Sequence, residues 1–129
     1  MNSPAIDNTA KLVGRLLLAL MFIVAGWGKI NGYEGTTKYM ASAGVPAILL
    51  PLVIVTELVG GICIAIGYQT RLAALALAGF TLVANILFHW QPDNQVQTLF
   101  FLKNMAVIGG FLVLFASGPG RWSLDARNR

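Results

Sequence analysis

Four long apolar stretches, residues 12–28, 45–68, 72–90 and 99–117, take up most of a chain of 129 residues. Each approaches the ~20 residues that an α-helix needs to cross a hydrocarbon core about 30 Å thick. The connections between them are too short to build a second core, so one domain spanning 1–129 is expected. Hydrophobic residues make up 57% of the chain and charged residues only 11%, with a mean hydropathy of +0.71. That balance argues against a water-soluble globule. It predicts an all-α membrane protein, a four-transmembrane-helix up-and-down bundle whose environment is the lipid bilayer.

Four crossings bring both termini and the 68–71 turn to one side of the membrane. Lys11, Arg15, Arg71, Arg121, Arg127 and Arg129 fall on that side, and Lys29, Lys38 and Lys103 on the other. The positive-inside rule then places both termini in the cytoplasm. The first stretch outruns a signal-peptide core and ends in Trp27-Gly28-Lys29 rather than a small-residue cleavage site, so it is expected to remain as a span. No lipid-attachment pattern is read at either end. The basic residues are dispersed and no nucleic-acid motif accompanies them, so no nucleic-acid partner is expected. Cys63, the single cysteine, falls inside the second stretch and reads as a small apolar packing residue, which excludes an internal disulfide.

Local signals refine this picture. Asn8 or Thr9 is a candidate cap for the first helix, and Arg15, one turn inside it, is expected to snorkel to the headgroups. The connection 31–40 mixes glycines, aromatics and both charges, and predicts a short amphipathic interfacial helix over about 36–43. Pro46 suits the first turn of the second span, whereas Pro51, deeper in, predicts a kink. Gly67-Tyr68-Gln69-Thr70-Arg71 reads as a tight turn, and Gly118-Pro119-Gly120 as the stop of the fourth helix before a basic tail. Small residues four apart, Gly61 and Ala65, Ala74 and Ala78, Ala106 and Gly110, predict close helix–helix seams.

The polar residues inside the apolar stretches carry the functional signal. A carboxylate near the bilayer centre costs roughly 2.5–3.5 kcal/mol even by the lower insertion scales. Glu57 is in that position, about 16 Å along its span from Pro46, with Gly60 and Gly61 on the same helix face. Two missing side chains there allow a neighbouring backbone or a ligand to come close. Thr81, Asn85 and His89, four residues apart, make one polar stripe on the third span. Lys29 ends the first span and Lys103-Asn104 begins the fourth. The four helices thus each bring polar groups to one half of the bundle. Two readings follow: Glu57 pairs with Lys103 or Lys29 and sets helix register, or Glu57 and His89 line a polar pocket that grips a small ligand or exchanges protons. A lone histidine cannot form a metal site, and nucleotide-binding and nucleophile-elbow patterns are missing from the sequence. No self-contained catalytic motif is present.

The order of Ala25-Gly26-Trp27-Gly28-Lys29-Ile30, Gly32-Tyr33-Glu34-Gly35-Thr36, Tyr39-Met40, Gly44-Val45-Pro46, Glu57, Gly67-Tyr68-Gln69-Thr70-Arg71, His89, Lys103-Asn104, Gly109-Gly110-Phe111-Leu112 and Gly118-Pro119-Gly120 resembles the signature of the DoxX family, most closely its small bacterial inner-membrane members. The resemblance covers nearly the whole chain. It implies a four-helix bacterial inner-membrane protein tied to membrane redox complexes or to resistance against quinones, catechols and oxidants. By the same resemblance a quinone headgroup would sit between Glu57, His89 and Lys103. With no cofactor motif of its own, the chain would depend for any electron transfer on a bound quinone or on a membrane redox partner. A non-catalytic scaffold of a larger complex and a homo-oligomeric proton-coupled transporter of small solutes are the alternatives.

Overall fold

In the computed structural model, residues 3–127 are described, and Arg129 lies outside them. The first helix, α1 (Pro4–Asn31), starts two turns earlier than the apolar stretch suggests, because Pro4 sits at its first position with its ring already set for helical φ. Ser3, extended, precedes it. Asn8 and Thr9 therefore lie inside the helix and do not cap it. The Asn8 carboxamide oxygen accepts instead from the Arg121 N–H at 2.9 Å, and Thr9 Oγ1 donates to the Ala5 carbonyl at 2.7 Å.

Gly32 breaks the chain into α2 (Tyr33–Ser42). A left-handed Gly44 (φ 76°) and a 3-10 turn at Ala47–Leu49 then lead into α3 (Leu50–Ile66). Pro51 thus falls in the first turn of α3, where backbone N–H groups have no intrahelical partner to lose. The ground for the expected kink, a helical hydrogen bond lost inside the span, is thereby gone, and Pro46 precedes the 3-10 turn in an extended conformation. Gly67 at φ 71° ends α3, and α4 (Thr70–His89) begins three residues on. Asn94 caps α5 (Gln95–Ser117) by accepting from the Gln97 N–H at 3.1 Å. A one-turn α6 (Leu124–Arg127) closes the described chain.

Four helical segments, Pro4–Asn31, Ala47–Ile66, Thr70–His89 and Gln95–Ser117, are long and apolar enough to cross a membrane. They pack as two pairs, α1 on α3 and α4 on α5, joined along an α3–α4 seam. The core between them holds Phe22, Ile64, Ala74, Leu77, Phe111 and Leu114, with the Phe22 and Phe111 rings 5.4 Å apart. Outside it the helices present Leu17, Leu72 and Val113, each about two-thirds exposed. An apolar surface of that extent suits hydrocarbon and not water.

Small residues set the seams. Gly61 lies against Ile23 and the Ala19 carbonyl, and Gly26 lies against Leu58, so α1 and α3 approach closely. Ala74 and Ala78 are buried as the spacing suggests. The Ala106–Gly110 pair makes no such seam: Ala106 is exposed, and Gly110 has only ordinary contact with Leu18.

At the end that carries both termini, the residues after α5 fold back under the bundle. Arg15 does not snorkel. Its side chain is buried (1% exposed) and Nη2 donates to the Trp122 carbonyl at 2.7 Å. Gly67 leaves the space that the guanidinium fills. The returning strap supplies one acceptor, while Nε and Nη1 have no hydrogen-bond partner among the described residues. The Asp125 carboxylate accepts from the Gln69 and Thr70 N–H groups at 2.7 and 2.8 Å, satisfying orphan donors at the start of α4 and meeting its positive dipole end.

The α1–α3 seam generates a prediction. Gly61→Val presses a side chain against the Ala19 carbonyl, which cannot move without its helix, and is expected to cost about 1–3 kcal/mol. Gly79→Ala, in open space, is expected to stay within about 0.5 kcal/mol of wild type. Denaturant unfolding of the purified protein in mixed micelles checks both.

Candidate functional site

A cavity of about 500 Å³ lies between α1, α3 and α4, bounded by α2 and touched by α5. Its polar groups arise on different helices. Glu57 is the eighth residue of seventeen in α3 and is buried. Lys29, in the last turn of α1, places Nζ 2.8 Å from Glu57 Oε1. Gly26, one turn before Lys29, lets α1 approach the Glu57–Leu58 segment closely enough for this pairing. Of the two partners expected for Glu57, Lys29 takes the role.

Lys103 does not join the cluster. It is exposed, with Nζ 5.3 Å from the centre of the Phe100 ring on its own helix. Its neighbour Asn104 occupies the inward face, and one residue along a helix turns the side chain about 100° away from that face. Asn104 lines the cavity, and its Nδ2 donates to Asn85 Oδ1 at 3.2 Å. Asn85 Nδ2 in turn donates to the Phe101 carbonyl at 3.1 Å. Both ends of the buried Asn85 amide are thus spent on tying α4 to α5. The stripe Thr81–Asn85–His89 is interrupted there, because Asn85 does not line the cavity whereas Thr81 and His89 do.

His89 Nδ1 is 2.7 Å from Gln97 Oε1. With Nδ1 donating to that oxygen, Nε2 is the acceptor of the neutral ring. Thr81 Oγ1 is buried without a protein hydrogen-bond partner among the described residues. Gly60 and Gly61 serve packing: Gly60 meets the Leu77 side chain and Gly61 meets α1. The space for a ligand opens instead along Thr56, Glu57, Phe80 and Thr81.

Sequence reasoning missed the contribution of α2. Thr36, Tyr39 and Met40 all line the cavity, at i, i+3 and i+4 on one helical face. Met40 is buried with Leu50 and Ile54, and the Tyr39 ring stacks on Phe88 at 5.4 Å and 23°. That spacing was the available signal. An aromatic near a span end looks like an interfacial belt residue until the short helix is seen folded over the bundle. The resulting chamber has the polar groups of Lys29, Glu57, Thr81, His89 and Asn104 spread along it, between apolar and aromatic walls.

The DoxX family profile matches residues 10–90. The chain is 48% identical to the inner membrane protein YqjF of Escherichia coli K12 over 120 residues, covering 93% of this chain and 92% of that one. It is 36% identical to the inner membrane protein YphA of the same organism over 123 residues, covering 90% and 88%. Over 76 residues it is 32% identical to the putative oxidoreductase CatD of Bacillus subtilis, covering 59% and 56%. No solved structure matches the chain.

The Lys29–Glu57 pair is directly testable. Lys29→Met alone leaves a buried carboxylate without its cation. It is expected to destabilise by up to about 3 kcal/mol, below the full effect of breaking a buried pair because Lys29 is 29% exposed. Adding Glu57→Leu removes the stranded charge and should recover most of that loss. A double-mutant cycle on unfolding free energies, with a coupling of about 0.5–3 kcal/mol, is the measurement.

Proposed function

The chain belongs to the DoxX family, and from that we propose that it is a bacterial inner-membrane protein whose cavity binds a quinone or related phenolic molecule in a redox-associated role. The observation that carries this reading is the cavity of about 500 Å³ with the Lys29–Glu57 pair in its wall. A quinone presents two carbonyl acceptors on opposite edges of a flat ring. Lys29, the unpartnered Thr81 hydroxyl and the Asn104 amide offer donors, while Tyr39, Phe88 and Met40 form walls for ring contact. Reduction of a bound quinone consumes two electrons and two protons. In this reading Glu57 and His89 exchange the protons, and the electrons come from a membrane partner subunit. The relative named a putative oxidoreductase supports a redox association.

In the same proposal the end that carries Lys11, Arg71, Arg121 and both termini faces the cytoplasm, following the positive-inside rule. The cavity then belongs to the periplasmic half. One observation favours a second reading, a non-catalytic scaffold: Lys29–Glu57 and Asn85–Asn104 each join neighbouring helices as structural ties.

The test is titration of the purified full chain with short-chain ubiquinone and menaquinone analogues, followed by tryptophan quenching. Saturable quenching is expected. Tyr39→Ala and Glu57→Gln should each weaken affinity about tenfold, equivalent to about 1.4 kcal/mol. Absence of saturation in wild type, or unchanged affinity in both variants with their unfolding transitions intact, rejects ligand binding and leaves the scaffold.

A further inference from the structure

The basic residues at the terminus-bearing end do more than bias topology. A charge bias needs only that cations lie on one side of the membrane. Here three cations from three separate elements surround one depression. Lys11 comes from α1, Arg71 from α4 and Arg121 from the strap after α5, about a second cavity of about 340 Å³ whose remaining wall is Ser117–Gly120 and Ala126. Among the described residues no carboxylate lines it.

Glycines hold these cations in place. Gly118 and Gly120 both adopt positive φ, 81° and 85°, a region that side chains other than glycine rarely occupy. The Arg71 guanidinium lies against Gly118, and the Lys11 stem lies against Gly120, in space a Cβ would contest. The loop is thereby wedged between two cations, which limits their freedom before any ligand arrives. Two acidic groups lie nearby. Asp7 pairs with Lys11 at 3.0 Å but is 61% exposed, where water weakens the attraction. The Asp125 carboxylate is turned to the start of α4. The loop's own N–H groups are largely spent, with Gly118 donating to Leu114 and Arg121 to Asn8, so the side-chain cations supply the recognition. The depression also sits where apolar spans stop, at the start of α4 and the end of α5. Trp122, half exposed on the same strap, is the residue type that settles at headgroup depth.

We propose that this depression is a binding site for a phosphate-bearing anion, supplied by an anionic phospholipid headgroup or by free phosphate. Arg71 contacts the anion with its planar fork, and Lys11 and Arg121 close on it from either side. The site lies at the opposite end of the bundle from the quinone cavity and does not depend on that reading.

The test uses the full chain purified in a neutral detergent, with its thermal unfolding midpoint followed as ligand is added. The probes are short-chain phosphatidylglycerol, short-chain phosphatidylcholine and inorganic phosphate. A saturable upward shift with phosphatidylglycerol and none with phosphatidylcholine assigns the lipid source. A shift with inorganic phosphate alone assigns the soluble one. Lys11→Gln combined with Arg121→Gln removes two cations while keeping the part of the Lys11 stem that packs on Gly120 and losing only an i,i+4 pair with the exposed Asp7, and should weaken the response at least tenfold with the ligand-free midpoint near wild type. Arg71→Lys, which keeps the charge but loses the fork, should fall between. No shift with either anion, an equal shift with phosphatidylcholine, or wild-type affinity in the double variant overturns the proposal.

Discussion

Glu57 places a carboxylate at mid-depth of a span, and the arrangement around the cavity depends on how that charge is met. In hydrocarbon no water is at hand to solvate it, so a partner must come from another helix. Lys29 reaches it from α1 because Gly26 and Gly61 remove the side chains that would hold α1 and α3 apart. Such a buried pair adds little net stability against an apolar replacement, yet it ties the end of α1 to the middle of α3. With α1 ending just beyond Lys29, the chain has to turn at Gly32, and α2 is delivered over the mouth of the bundle. The cavity is a consequence of that sequence of constraints.

The two ends of the bundle solve the same problem in different ways. At the cavity end a separate helix, α2, buries Met40 and stacks Tyr39 on Phe88, giving an apolar cover with polar groups beneath. At the other end the cover is a short strap held by main-chain and charged contacts. The buried Arg15, the Trp122 carbonyl and the half-buried Asp125 at the start of α4 make a polar lock among helix ends, whose free N–H and C=O groups need partners. The lock leaves Lys11, Arg71 and Arg121 outside it, on the surface. The buried cation holds the end together and the peripheral ones remain for external anions.

Several cavity-lining residues are legible because intramembrane polar groups are costly and therefore stand out. Glu57, Lys29, His89 and Asn104 were all identified on that ground, and each lines the cavity. Lys103 was grouped with them because depth can be counted along a helix. The direction a side chain faces depends on how that helix is rotated against its neighbours. Asn104 has the inward face, and Lys103 is carried outward. Arg15 was misplaced for a related reason: a snorkelling arginine and a buried one have the same local sequence, and the distant Trp122 carbonyl decides between them. Tyr39 and Met40 were hidden because their helix is short and its docking is a long-range event.

Residue order alone specifies a helical membrane protein with four spans, since backbone polar groups in lipid must be satisfied within each segment and residue-by-residue hydropathy records that requirement. It also marked the depth at which charge would be buried. Three-dimensional packing selects which cation answers Glu57, spends Asn85 on joining α4 to α5, and brings α2 and the strap after α5 over the two ends. Those outcomes depend on helix rotation and on contacts between residues far apart in the chain, which side-chain packing selects and local periodicity does not encode.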